Sequence, residues 1–327
     1  MKCIDAFKNL NVEIRDNNLN ISPCCLSKTA KVDSINFDDT HLTNIRKIWL
    51  NKQFPNECSN CQQAEQHNLS SRRIGSNQWY KDHGYDNLDT ELIRLDYWTG
   101  DICNLACVIC GPHNSSLWKQ ELGFAKEDKK QVTNKFWKTI DISRLKFIHF
   151  NGGEPLLSKE HIEFLQSIPE KSQVHLNYNT NGTILPTAEL LELWSQYKLV
   201  QLDFSIDDIG TRYEYQRYPA KWESVESNLK WFIDNSPVNC MFAVNTTVSI
   251  LNQANLENLN SWLKTNFHSN RVTDPIEHRQ QLAFGLFALE SAETRKAKII
   301  EFLNNCDARR GTSWPDVFPE LANFINT

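Results

Sequence analysis

The stretch from Asp101 to Cys110 constrains this chain more than any other, because it places Cys103, Cys107 and Cys110 at C-x3-C-x2-C spacing. It follows Leu92 to Tyr97, which reads as a strand, so the cysteines stand at a strand end. Three thiolates this close in sequence suit three corners of a [4Fe–4S] cube. The segment supplies no fourth cysteine, which leaves one iron open to a ligand that is not protein. Structural zinc is the competing reading, but zinc sites favour C-x2-C pairs and complete a closed set of four ligands.

From residue 92 onward, short β-branched or aromatic runs alternate with helical stretches, the pattern of a parallel sheet built from βαβ units. Strands are expected at Leu92–Tyr97, Lys146–Phe150, Val174–Asn179, Val200–Ile206 and Cys240–Val248, with a sixth at Leu282–Leu286 or near Val272. Glu189 to Trp194, the stripe Val225, Leu229, Phe232 and Ile233, and the stripe Leu256, Leu259, Trp262 and Leu263 fall at helical spacing. Polar segments close these strands: Asn151-Gly152-Gly153-Glu154-Pro155, Tyr178-Asn179-Thr180-Asn181-Gly182-Thr183, Phe204-Ser205-Ile206-Asp207 and Asn245-Thr246-Thr247. A glycine pair lets backbone approach a ligand with no Cβ in the way, and a polar group at a buried strand end needs a partner. The loop Asp208 to Pro219 carries Arg212, Arg217 and three tyrosines. It reads either as a carboxylate clamp through Arg217 or as a surface turn whose tyrosines cover the rim. A helix is expected at Ala292–Asn304 and a short one near Leu321, in a tail with no chemical motif.

Taken in this order, the motifs resemble the radical SAM superfamily. The resemblance implies an α/β fold, a partial (βα)6 barrel over residues 92–288, with a catalytic [4Fe–4S] cluster on Cys103, Cys107 and Cys110. Its open iron would be chelated by S-adenosyl-L-methionine (SAM). Gly152, Gly153 and Glu154 would bind the SAM ammonium group, with Asn179, Asn181, Ser205, Asp207, Arg217 and Asn245 as further contacts. The implied activity is reductive cleavage of SAM to a 5′-deoxyadenosyl radical that abstracts hydrogen from a substrate. A flavodoxin- or ferredoxin-type donor would supply the electron. Ile109 stands where many members carry an aromatic residue near the adenine.

Residues 1–70 hold a second constellation: Cys3, the adjacent Cys24-Cys25, and Cys58-x2-Cys61. Val12-Glu13-Ile14 and Leu19-Asn20-Ile21 flank Asp16-Asn17-Asn18, a hairpin pattern that delivers Cys24 at its end. Short helices are expected at Ile45–Leu50 and from Gln62. Zinc and a [4Fe–4S] cluster both fit four such cysteines. With Trp49 on the intervening helix, the set resembles the SPASM/twitch auxiliary-cluster module. That implies a second [4Fe–4S] cluster on Cys3, Cys24, Cys58 and Cys61. Cys25 is the alternative to Cys24, since strand neighbours face opposite ways. The module precedes the barrel instead of following it, and Leu19 stands where a glycine is usual. Residues 71–91 read as a polar, irregular bridge or lid and residues 289–327 as a helical extension, while Cys240 and Cys306 read as packing residues.

A net charge of −5 from 35 basic and 40 acidic residues gives no polyanion-binding field, so no nucleic-acid partner is expected. No signal-like apolar region opens the chain, and no stretch approaches the ~18 apolar residues of a membrane span. A cytoplasmic protein with reduced cysteines is expected. Relatives with an auxiliary module commonly act on ribosomal peptides, so oxidation or crosslinking of a peptide or protein is the implied reaction. A small molecule, such as an aminosugar or nucleotide derivative, is the alternative, and no winged-helix peptide-recognition domain fits within residues 1–91. A reading from another class, a non-catalytic iron–sulfur carrier or scaffold, leaves the Gly-Gly-Glu stretch without a purpose.

Overall fold

The computed structural model describes residues 2–15, 18–124, 135–272, 281–282 and 292–326. Contacts divide the chain into two sets, residues 1–101, 127–178 and 192–200 in the first and residues 102–126, 179–191 and 201–327 in the second.

The first set is built on strands β1 (Asn9–Arg15), β2 (Asn18–Ser22), β3 (Ala30–Val32), β4 (Arg94–Trp98), β5 (Phe147–Asn151) and β6 (His175–Thr180), in the order β3-β2-β1-β4-β5-β6. The β1–β2 and β2–β3 pairs are antiparallel, and β1–β4, β4–β5 and β5–β6 are parallel. The expected N-terminal hairpin is therefore present, although the turn residues Asp16 and Asn17 lie outside the described residues. Its first strand pairs directly with β4.

Period-two alternation divides this sheet into two unlike faces. Leu10, Val12, Leu95, Tyr97, Ile148, Phe150, Leu176 and Tyr178 are buried on one face. They pack under aromatic side chains: Tyr97 lies 5.0 Å from Phe136, Phe150 lies 6.2 Å from Phe164, and Tyr178 lies 5.4 Å from Trp194, ring centre to ring centre. Each such side chain contributes about 1.5–3 kcal/mol through burial. On the other face Asn11 stands opposite Asp96, Asp96 opposite His149, and His149 opposite Asn177. Asn11, Asp96 and Asn177 are nonetheless buried.

Residues 71–91 are irregular only beyond residue 82. Arg72–Asp82 is a helix, capped by Ser71, whose hydroxyl accepts from the Ile74 N–H at 3.3 Å. Its polar residues misled because they reach buried partners: Arg72 bonds Asp96, Asn77 accepts from the Ile4 N–H, and fully buried Tyr80 donates to Asp5.

In the second set, β7 (Leu199–Ser205) neighbours β8 (Cys240–Asn245), and β9 (Thr247–Val248) pairs in parallel with β10 (Gln281–Leu282). Phe242 also forms a parallel bridge with Val272. Both candidates for a sixth strand thus make a short pairing, and 283–286 lie outside the described residues. Helices Trp222–Asn235, Leu256–Asn266, Ala292–Arg310 and Pro319–Asn326 occupy the expected helical stretches. The loop expected at 208–219 is instead a helix over Gly210–Gln216. Gly210, at φ +59°, makes the entry turn, and Asp208 fixes the first turn through Arg212 at 3.0 Å. The fold is α/β with a mostly parallel sheet that does not close among the described residues, consistent with a partial barrel.

Candidate functional site

The cysteine loop, in the second set, is held by its backbone. The Ala106 N–H donates to Tyr218 O at 2.7 Å, Val108 to Gln216 O at 2.8 Å and Cys110 to Cys107 O at 2.9 Å. Helix Ser116–Glu121 holds the other side: Ser116 Oγ accepts from the Cys103 N–H and donates to the Cys103 carbonyl, both at 3.1 Å, and Trp118 Nε1 donates to Cys107 O at 2.8 Å. Burial pushes the Cys107 thiol up to about 12, against the pull of the Arg217 guanidinium, and pushes Cys110 up as well.

Several expected contacts converge on this loop. Arg217 is buried, not part of a surface turn; its Nη2 lies 2.7 Å from Asp207 Oδ2 and its Nη1 lies 3.9 Å from Cys107 Sγ. Asp207 also accepts from the Thr247 N–H at 2.9 Å. Asn181 donates to Asn104 Oδ1 at 3.0 Å and lies 4.0 Å from Cys103 Sγ, and Asn104 donates to Thr183 Oγ1 at 2.8 Å. Asn179, Ser205 and Asn245 stand on β6, β7 and β8, and the Asn245 carbonyl accepts from the Ile206 N–H at 3.3 Å.

The tail contributes a group that no motif announced. Arg310, at the end of helix Ala292–Arg310, donates to Ala106 O at 2.8 Å and pairs with Glu121 at 3.1 Å. Its guanidinium lies 4.7 Å from the Trp118 ring centre. The clustered Arg309-Arg310 was its only trace in sequence.

Within the first set, Gly152 has φ +135°, and a Cβ there would meet Gly100 O and Thr99 Oγ1 at 2.8 Å. The Gly153 N–H donates to that same Gly100 carbonyl at 2.8 Å. The glycine pair is thus seated on the turn that leads into Asp101. Glu154 is buried and accepts from the Leu156 N–H at 3.1 Å, capping the short helix Pro155–Leu157.

Residues 99–258, which run from this turn through β9, match the Radical SAM superfamily. The chain carries a radical SAM domain. Among curated proteins, GTP 3′,8-cyclase of Haemophilus ducreyi is 26% identical over 122 residues, covering 34% of this chain and 32% of its own. This chain thus spans about a third of that relative's length. Among solved structures, Streptococcus suis SuiB bound to S-adenosylmethionine is 14% identical, over 86% of this chain and 64% of SuiB, with a TM-score of 0.41. SuiB bound to its precursor peptide SuiA is 12% identical over the same shares, also at 0.41.

Ahead of the radical SAM domain, Cys3, Cys24, Cys58 and Cys61 line one pocket with Asp5, Trp49, Arg72 and Arg73. All four cysteines are buried. Burial, then Asp5, then Cys58 raise the Cys3 thiol; burial raises Cys24 and takes Cys58 up to about 11, where Ser27 and Trp49 act in the opposite direction as donors. Cys25 does not line this pocket; its sulfur lies 3.2 Å from Arg72 Nη1. Among the described residues no group of three or more His, Cys, Asp or Glu side chains is gathered for a single metal ion. A cube with a separate iron for each thiolate asks instead for sulfurs spread around a cavity, as these are.

Proposed function

We propose that the chain is a radical SAM enzyme. Cys103, Cys107 and Cys110 would hold the catalytic [4Fe–4S] cluster, with Gly152, Gly153, Glu154, Asn179, Asn181, Ser205, Asp207, Arg217 and Asn245 placing SAM. When bound, the cluster and SAM supply one-electron cleavage of the sulfonium and hydrogen abstraction from an unactivated carbon. The chain's own part is to fix the thiolates, orient SAM and keep water away. Arg217 holds Asp207 while offsetting thiolate charge at Cys107. Asn181 and Asn104 hold the first turn of the loop. The observation that carries the reading is this braced three-cysteine loop inside the segment that matches the superfamily.

Cys3, Cys24, Cys58 and Cys61 would hold a second [4Fe–4S] cluster. With four protein ligands it is coordinatively closed, which suits it to accept an electron from the substrate. That role suits an oxidative or crosslinking change, in a peptide or protein as the resemblance to SPASM/twitch enzymes implies, and an external one-electron donor must reduce the catalytic cluster. The likeness to GTP 3′,8-cyclase favours a second reading, a nucleotide-like small molecule.

Iron content and electron paramagnetic resonance after anaerobic reconstitution test the proposal. About eight irons in the native chain should fall to about four when Cys103, Cys107 and Cys110 are all changed to alanine, with loss of the SAM-dependent signal. About four falling to none would leave the radical enzyme and remove the second cluster. Iron without a SAM-dependent signal would leave only a carrier.

A further inference from the structure

Arg72 is the point at which the four-cysteine pocket meets the polar face of the sheet. It lines the pocket with Cys3, Cys24, Cys58 and Cys61. From that position its guanidinium reaches three partners: Nε lies 3.4 Å from Asp5 Oδ2, Nη1 lies 3.2 Å from Cys25 Sγ, and Nη2 lies 2.8 Å from Asp96 Oδ2. Asp96 is fixed in turn: Asn9 Nδ2 donates to the same oxygen at 3.0 Å, and His149 Nδ1 lies 3.4 Å from the other. The guanidinium is mostly buried and cannot lose its proton, so it is a charge of fixed sign and place.

We infer that Arg72 sets the reduction potential of the cluster held by Cys3, Cys24, Cys58 and Cys61, holding it high enough to accept an electron. The inference rests on reading those cysteines as cluster ligands. A cluster on four thiolates gains one more negative charge when reduced, and a buried cation beside it favours the reduced form. The field of Arg72 acts from the wall of the same pocket that the four cysteines line. Asp96 moderates that field, for it is a buried carboxylate on the side of the guanidinium that faces β4. Arg72 acts here as a positioning and tuning residue; nothing in its contacts makes it a catalytic group.

The two charges give the inference a signature that loss of structure would not produce. In the full chain carrying Cys103→Ala, Cys107→Ala and Cys110→Ala, only the four-cysteine cluster remains after reconstitution. Its midpoint potential can then be read by redox titration followed by electron paramagnetic resonance. Arg72→Gln should move it to a more negative value, Arg72→Lys should stay nearer the parent, and Asp96→Asn should move it to a more positive value. Potentials that stay put, or that move the same way in Arg72→Gln and Asp96→Asn with iron retained, overturn the inference. If Arg72→Gln fails to hold iron, the sign for Asp96→Asn decides alone, and an unmoved Asp96→Asn sinks it. A parent that takes up zinc or no metal overturns the ligand assignment itself, and that colourless protein cannot be mistaken for an iron-bearing one with an unmoved potential.

Discussion

The two cysteine sites are built by opposite strategies. Cys103, Cys107 and Cys110 come from one loop, and distant parts of the chain are used to hold its backbone: Tyr218 and Gln216 from one segment, Trp118 from another, Arg310 from the tail. Cys3, Cys24, Cys58 and Cys61 come from three segments, and the fold itself must bring the sulfurs together around the pocket. The first site has local ligands and non-local supports; the second has non-local ligands. A loop of local thiols can leave an iron uncovered, whereas four thiols converging from several directions close the cluster off. On the proposed reading, the difference would suit one site to react and the other to pass an electron.

If the supports of the loop matter as much as its cysteines, removing one far from the sulfurs should empty it while leaving the other site filled. Arg310→Ala is the severest case. It deletes a buried guanidinium from Glu121, from the Ala106 carbonyl and from the face of Trp118. Breaking a buried ion pair costs about 3 kcal/mol at the low end. Reconstituted Arg310→Ala should hold about four irons instead of eight, with the SAM-dependent signal reduced and that of the N-terminal cluster retained. Loss from both sites together would show that the tail supports the whole molecule and not the loop.

Acid separates the regions differently. His161, on helix Glu160–Ser167, packs edge to face against the stacked rings of Phe150 and Tyr178 at 5.6 and 5.9 Å, and burial lowers it to about 4. Between its folded value and the unfolded ~6.5, the unfolded chain binds the extra proton, so stability rises with pH across that window and is lost as pH falls through it. The full effect is about 3 kcal/mol near pH 4. His161→Leu should flatten this acid limb in chemical denaturation of the metal-free protein. A limb that persists in the variant would place the acid sensitivity elsewhere.

What was legible in sequence follows the same division. The loop could be read because its ligands are adjacent, and the strands because apolar runs and terminal polar motifs alternate along the chain. Arg310 and Asn104 were not read, since a support is defined by what folds against it. The polar face of the first sheet went unread inside strands that were expected: Leu95 and Tyr97 face the core while Arg94 and Asp96 alternate with them. Charged residues at period two inside a strand were the available signal. Helices Arg72–Asp82 and Gly210–Gln216 were missed for one reason: their polar side chains satisfy buried partners, and polarity alone resembles a loop.

The smallest change, one cysteine against its neighbour, is also the one that sharpens the comparison most. Cys24 and Cys25 are adjacent, but Cys24 lines the pocket with the other three cysteines while Cys25 lies against Arg72. Spacing along the chain cannot tell them apart; the direction of each side chain can. Cys24→Ser should lose the N-terminal cluster, because a serine hydroxyl is a poor substitute for a thiolate on iron. Cys25→Ser should keep the full iron content, since a hydroxyl can still accept from Arg72. The reverse result would turn the hairpin end over and make Cys25 the ligand. Arg72 would then lie against a coordinating sulfur, and its influence on that cluster should become larger, not smaller.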